Sequence, residues 1–262
     1  MPARLYRPSE DAPLPAMVYF HGGGWTLLDL DTHDRLMRAY ARRSGWAMIG
    51  LDYPLAPEVR FPDSLGLCVE AVANIRGAAE DLGLSPELIV LGGDSSGANL
   101  ALAAAMIGAR QGCSSPLGLM LNYGVFDCDL NRPSYRAFSD PPYLLSAGRM
   151  AYFWDNYCPE SAARADPLAS PLRASTAMLA PLPRVHLTIA AQDVLVDENK
   201  DMARRLECAG VTVTSLVYAE AAHGFLEAVD HSPVADRAVG EGAMWLRELA
   251  RQSRRPPARH GD

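Results

Sequence analysis

The chain has 262 residues, a length that suits one large α/β domain better than two small ones and can bury a substantial core. Its hydrophobic fraction of 49% and charged fraction of 21% are those of an ordinary globular protein. The net charge of −7 argues against nucleic acid or an anionic membrane as the main partner, because both demand clustered Lys and Arg. Cys68, Cys113, Cys128, Cys158 and Cys208 are odd in number and contain no CxxC pair, so neither a disulfide framework nor a zinc site is expected. The N-terminus has no apolar signal-like run and no stretch approaches membrane-spanning length, so the expected location is the cytoplasm.

In chain order, short apolar runs alternate with helix-like segments, the pattern of a mostly parallel sheet flanked by helices. Strands are predicted at Ala16–Phe20, Trp46–Leu51, Leu88–Leu91, Leu117–Tyr123, Val185–Ala191 and Val211–Tyr218. Helices are predicted at 33–44, 63–82, 97–110, 198–209 and 235–252. Ser85-Pro86 is expected to break the chain before a strand, and Gly210 to cap the preceding helix in a left-handed conformation. An exposed edge at Val211–Tyr218 would allow two copies to pair through the sheet as a homodimer. From about 126 to 183 the chain is rich in proline and aromatics without a clear strand, and a cap or lid insertion over the ligand-binding ends of the sheet is expected. The proline-broken tail, residues 253–262, is expected to be disordered.

Gly93-Asp94-Ser95-Ser96-Gly97 follows a strand and opens a helix. GxSxG in that context is the nucleophile elbow, a turn so sharp that only glycine fits two positions either side of the serine. The spacing selects Ser95 as nucleophile, raised at a helix N-terminus where the dipole favours developing negative charge. His21-Gly22-Gly23-Gly24-Trp25 ends the first predicted strand, and its glycines can turn backbone N–H groups towards a substrate oxygen. The expected oxyanion donors are the amides of Gly23, Gly24 and Ser96, with His21 as a brace for the loop.

A serine nucleophile needs a base, and the base an orienting carboxylate. Among the later histidines, His186 lies inside an apolar strand, His231 precedes a proline and His260 is in the tail, which leaves His223. The expected acid is Asp193, at the end of a predicted strand; Asp197 and Glu198 read as helix-capping residues and Glu220 as an outside candidate. A metal site of Asp29, Asp31, His33 and Asp34 is conceivable, but a solvated loop and helix cap is the simpler reading, and no metal is expected.

Five ordered motifs carry a resemblance: His21–Trp25, Asp52-Tyr53-Pro54-Leu55-Ala56-Pro57-Glu58, Gly93–Gly97 with Ala98-Asn99-Leu100-Ala101, Asp193–Glu198 and His223-Gly224-Phe225. Together they resemble the hormone-sensitive-lipase-like family of bacterial carboxylesterases over nearly the whole chain. The resemblance implies an α/β-hydrolase fold, no cofactor, and hydrolysis of small short-acyl or aryl esters, with Ser95, Asp193 and His223 as triad. Pro54 stands where the family usually has arginine, and Ser96-Gly97-Ala98 where it usually has Ala-Gly-Gly. Only twenty residues precede His21, so the family's N-terminal cap segment, and with it the first sheet strand, is expected to be missing. The pocket would then be walled by residues 126–183 and Trp25. Two other readings use the same features: an amidase or arylformamidase with the same triad, and a non-catalytic small-molecule receptor on the same fold.

Overall fold

The computed structural model describes residues 1–11 and 13–253. Among them a seven-stranded sheet forms the centre, in the spatial order β1-β3-β2-β4-β5-β6-β7. Its strands are β1 (Ala3–Tyr6), β2 (Leu14–Phe20), β3 (Ala47–Leu51), β4 (Leu84–Asp94), β5 (Gly118–Asn122), β6 (Val185–Gln192) and β7 (Val213–Ala222). Only β1 runs antiparallel, against β3. Every residue of β2, β3 and β5 is buried, because helices cover both faces and the strands must be apolar on both sides.

One face carries α1 (Asp34–Ser44) and, at the end of the chain, α8 (Pro233–Ser253); Tyr40, Trp46, Met120, Val239 and Leu246 pack there. The other carries α2 (Asp63–Gly77), α3 (Ser96–Arg110) and α7 (Val196–Cys208), with α3 buried along most of its length. Between β5 and β6 lie α4 (Pro133–Phe138), α5 (Ala147–Tyr157) and the single turn α6 (Thr176–Leu179). Gly210 adopts the left-handed conformation just past α7, as expected. The tail beyond Ser253 lies outside the described residues, and Ser253 itself closes α8.

Three expectations need correction. A strand outside the predicted set is present: β1 pairs Ala3–Tyr6 with Met48–Leu51, a pairing that four residues of mixed polarity do not signal locally. Pro86 does not delay its strand, since β4 begins at Leu84; the register against β2 slips between Leu14 and Ala16, and proline is tolerated in that irregular stretch. The helix expected over 63–82 stops at Gly77, with turns filling the rest.

The strand order explains where a site can form. From β2 the chain moves outward to β3, then returns to the other side of β2 as β4. The crevice beyond the carboxyl ends of β2 and β4 is therefore a topological switch point, where ligands of open α/β sheets bind. The glycine loop follows β2, and the elbow ends β4.

Candidate active site

At the end of β4 the chain turns into α3 through Ser95, which is held at φ 55° and ψ −121°. A non-glycine residue there stores about 1–3 kcal/mol of strain, and the surroundings must over-determine it. They do so through the backbone: the Ser95 amide donates to the Asn122 carbonyl at 2.9 Å, and the Val125 amide donates to the Ser95 carbonyl at 3.1 Å. The flanking glycines are sterically required. A Cβ on Gly97 would lie 1.9 Å from the Phe20 carbonyl oxygen, and one on Gly93 would lie 2.5 Å from the Gly97 backbone.

The partners of Ser95 come from the ends of β6 and β7. The register places Gln192 opposite Ala222 after a slip beyond Ala190, so the next residues, Asp193 and His223, emerge side by side. His223 Nε2 lies 3.0 Å from Ser95 Oγ, and His223 Nδ1 lies 2.7 Å from Asp193 Oδ2. The other oxygen, Asp193 Oδ1, accepts the Leu195 amide at 3.0 Å, so the buried carboxylate is anchored at both ends. The Tyr123 ring stands edge-on to His223, with centroids 5.2 Å apart.

The competing assignments separate cleanly. Glu220 is on the exposed side of β7 and pairs with Arg237. Asp197 and Glu198 do not cap their own helix, a correction to the sequence reading. Asp197 accepts the Ser134 amide, and buried Glu198 accepts the amides of Phe126 and Asp127, tying α7 to the segment after β5. Burial holds the Glu198 carboxyl well above its ordinary range. His186 is buried beside Trp245, and burial lowers its pKa to about 4. His231 is exposed, and His260 lies outside the described residues.

The glycine loop faces the same point. Gly23 and Gly24 have φ of 120° and 62°, which a side chain would resist, and a Cβ on Gly24 would sit 2.2 Å from the Phe153 ring. Among the described residues, the amides of Gly23, Gly24 and Ser96 meet no backbone acceptor. His21 stacks on Tyr53 with centroids 4.4 Å apart, and its Nδ1 contacts the Gly22 carbonyl at 2.7 Å.

Beneath this loop lies a cluster the sequence reading missed. His33 is buried, with Nε2 3.2 Å from Asp94 Oδ1 and 3.4 Å from Glu227 Oε1. Its Nδ1 faces the Thr32 hydroxyl at 3.0 Å and the Asp29 carbonyl at 3.3 Å. The Gly22 amide also approaches Nε2, at 3.3 Å, but it lies nearer Asp94 Oδ1. With carboxylates at Nε2 and a carbonyl at Nδ1, we assign His33 as an imidazolium. Burial opposes that charge, but Asp94 and then Glu227 outweigh it and lift the pKa to about 9. Asp94 Oδ1 in turn accepts the Gly22 amide and the Tyr19 hydroxyl, both at 3.0 Å. No local signal could reveal this, since residues 33, 94 and 227 meet only in three dimensions. Of the imagined metal cluster, Asp31 and Asp34 pair with Arg4, and Asp29 holds the Thr32 turn. Only His33 turns inward.

Above Ser95 and His223 opens a cavity of about 320 Å³. Its walls are largely apolar, from Leu27 and Leu28 after the glycine loop and from Leu144, Leu145 and Phe153 of the segment between β5 and β6. Trp25, expected in the wall, is not there: it is buried, stacked on Tyr157 at 4.2 Å and packed on Trp154.

A model of the α/β-hydrolase fold matches residues 17–227. The chain belongs to this family, in its hormone-sensitive-lipase-like branch. It is 36% identical to an ethyl acetate hydrolase of Pseudomonas putida over 86% of this chain and 71% of that protein. It is 35% identical to a carboxylic ester hydrolase of Mycobacterium tuberculosis, over 86% of this chain and 61% of the relative. Among solved structures, a thermostable esterase from Pseudomonas putida superposes with a TM-score of 0.91 at 33% identity, covering 94% of this chain and 78% of that one. An esterase from Pyrobaculum calidifontis gives 0.90 at 32% identity, over 95% and 79%. No helix among the described residues is long and apolar enough to cross a membrane.

Proposed function

We propose that this protein is a serine carboxylesterase acting on small, short-acyl or aryl esters. The observation that carries the reading is the hydrogen-bond chain from Ser95 Oγ through His223 to Asp193. His223 takes the proton of Ser95 as its oxygen attacks the ester carbonyl. The resulting oxyanion accepts hydrogen bonds from the amides of Gly23, Gly24 and Ser96. Collapse of the tetrahedral intermediate breaks the bond to the alcohol, which leaves with the proton held by His223. Water, deprotonated by His223 in turn, attacks the acyl-enzyme and frees the acid. Asp193 keeps Nδ1 protonated and stabilises the imidazolium without accepting the proton itself.

Esterase names among the relatives support an ester rather than another acyl substrate. The cavity volume of about 320 Å³ lies at the small end for ligand sites and supports short acyl chains. Residues 126–183 act as the cap in this reading, with Leu144, Leu145 and Phe153 its substrate-facing side chains.

One assay series tests the proposal: p-nitrophenyl esters from acetate to palmitate, hydrolysed by the native enzyme and by Ser95→Ala. Turnover should favour the short esters and fall by about 10⁴-fold or more in the variant. Undiminished turnover in Ser95→Ala would overturn the mechanism, and a steep rise towards palmitate would overturn the substrate class.

A further inference from the structure

Among the described residues, Glu227 is the one carboxylate besides Asp94 that lines the cavity, and the mechanism does not use it. It stands in the short turn Phe225–Ala228, four residues after His223, and its side chain is 32% exposed. Oε1 is buried without a hydrogen-bond partner and faces His33 Nε2 at 3.4 Å. The nearer contact of that nitrogen is Asp94, whose Oδ1 is shared by His33, the Gly22 amide and the Tyr19 hydroxyl. One cation thus faces two carboxylates, and ionised Glu227 leaves the cluster with a net negative charge at the cavity wall.

The other charges around it do not cancel this. Arg35 contacts the Glu227 backbone carbonyl at 3.5 Å rather than its carboxylate. Asp230 and Asp236, the acids towards α8, are engaged by Arg42 and Arg43. His223 is bound to Asp193. Arg149, on the cap side of the cavity, is exposed and directs its guanidinium onto the Leu144 carbonyl. A solvent-facing guanidinium is screened by water, whereas a half-buried carboxylate in an apolar wall acts through a lower dielectric.

We propose that Glu227 is a specificity-determining residue that makes the cavity favour esters carrying an ammonium group over their neutral isosteres. The inference rests on the carboxylesterase reading. Burial, opposed by His33 and reinforced by Asp94, raises the Glu227 pKa to about 7, so the preference strengthens as pH rises through neutrality.

The test uses two isosteric pairs, one for each side of the ester. Acetylcholine is compared with 3,3-dimethylbutyl acetate, and betaine ethyl ester with ethyl 3,3-dimethylbutyrate. The ratio of kcat/KM, charged over neutral, is measured in the native enzyme and in Glu227→Gln; intrinsic ester reactivity cancels between the two enzymes. For at least one pair the ratio should fall roughly five- to tenfold in Glu227→Gln, the scale of one partly screened unit charge a few ångströms away. Equal ratios in both enzymes for both pairs overturn the proposal. Should the variant fail to fold, the native enzyme decides alone, since both members of a pair are hydrolysed by the same Ser95, His223 and Asp193. Its charged-over-neutral ratio should climb between about pH 6 and 8, and a flat ratio overturns the assignment. If the native enzyme hydrolyses none of the four esters, the carboxylesterase reading falls instead.

Discussion

Around Gly23 and Gly97 the backbone itself leaves no room, and at Gly22 a buried carboxylate fills the space, whereas the opposite wall of the cavity is made of side chains standing on a short helix. A Cβ on Gly22 would meet Asp94 Oδ2 at 2.3 Å, one on Gly23 the Leu27 carbonyl oxygen at 1.9 Å, and one on Gly97 the Phe20 carbonyl oxygen at 1.9 Å. The two carbonyls are main chain and cannot step aside, and the Asp94 carboxylate is held by His33, Gly22 and Tyr19. In the wall, α5 buries Met150, Trp154 and Tyr157 and turns Phe153 and exposed Arg149 towards the cavity. Rotamer changes there are cheap beside backbone shifts, so the floor should govern chemistry and the wall should govern which ester fits. The two regions touch at Gly24 and Phe153.

The largest effect should come from the floor. In Asp193→Asn the residue facing Nδ1 donates instead of accepting, which holds His223 in the wrong tautomer; kcat should drop by about 10⁴-fold with KM little changed. Steady-state kinetics would break the division if the loss appeared in KM. Next is the contact between floor and wall. Gly24→Ala should lower kcat by about 10²–10³-fold, because its Cβ meets the Phe153 ring and the loop must shift away from the oxyanion. Phe153→Ala alone should change kcat by less than about tenfold and act mainly on KM. The double variant should recover about tenfold of the Gly24→Ala loss; no recovery would mean that the loop backbone, not the ring, sets the cost.

The smallest expected effect is on stability, beneath the floor. The folded-state pKa of His33 is raised from an ordinary 6.5 to about 9, so its charged contacts contribute stability that is fully present below about pH 6.5 and lost as pH rises through 9. The difference in thermal midpoint between the native protein and His33→Gln should therefore be largest near pH 6 and shrink towards pH 9.5. A difference that grows with pH would show that His33 folds as a neutral ring.

Much of this arrangement could be read along the chain. Apolar runs located six of the strands: the inner ones are apolar because both of their faces are covered, whereas the edge strand β7 is largely exposed and showed only a short run of β-branched residues. The elbow and glycine loop were legible because a steric demand for glycine leaves a mark at fixed spacing. His223 was reached by elimination and position and Asp193 by its place after a predicted strand, although the strand before His223 runs on to Ala222 rather than ending at Tyr218. Less was visible where the cause is not local. The edge strand β1 depends on its partner β3, Trp25 was expected at the cavity and is instead sealed under Tyr157, and Asp197 and Glu198 serve the segment after β5 rather than their own helix.

By itself, then, the sequence determined the fold family and the residues that could react, since periodicity and glycine spacing are imposed by covalent geometry within a few residues. Tertiary structure alone decided that buried His33 and Asp94 and half-buried Glu227 share one charge cluster, and that this cluster borders a largely apolar cavity. Charges interact through space and through the dielectric between them, and residues 33, 94 and 227 acquire neither proximity nor low dielectric until the sheet closes over them.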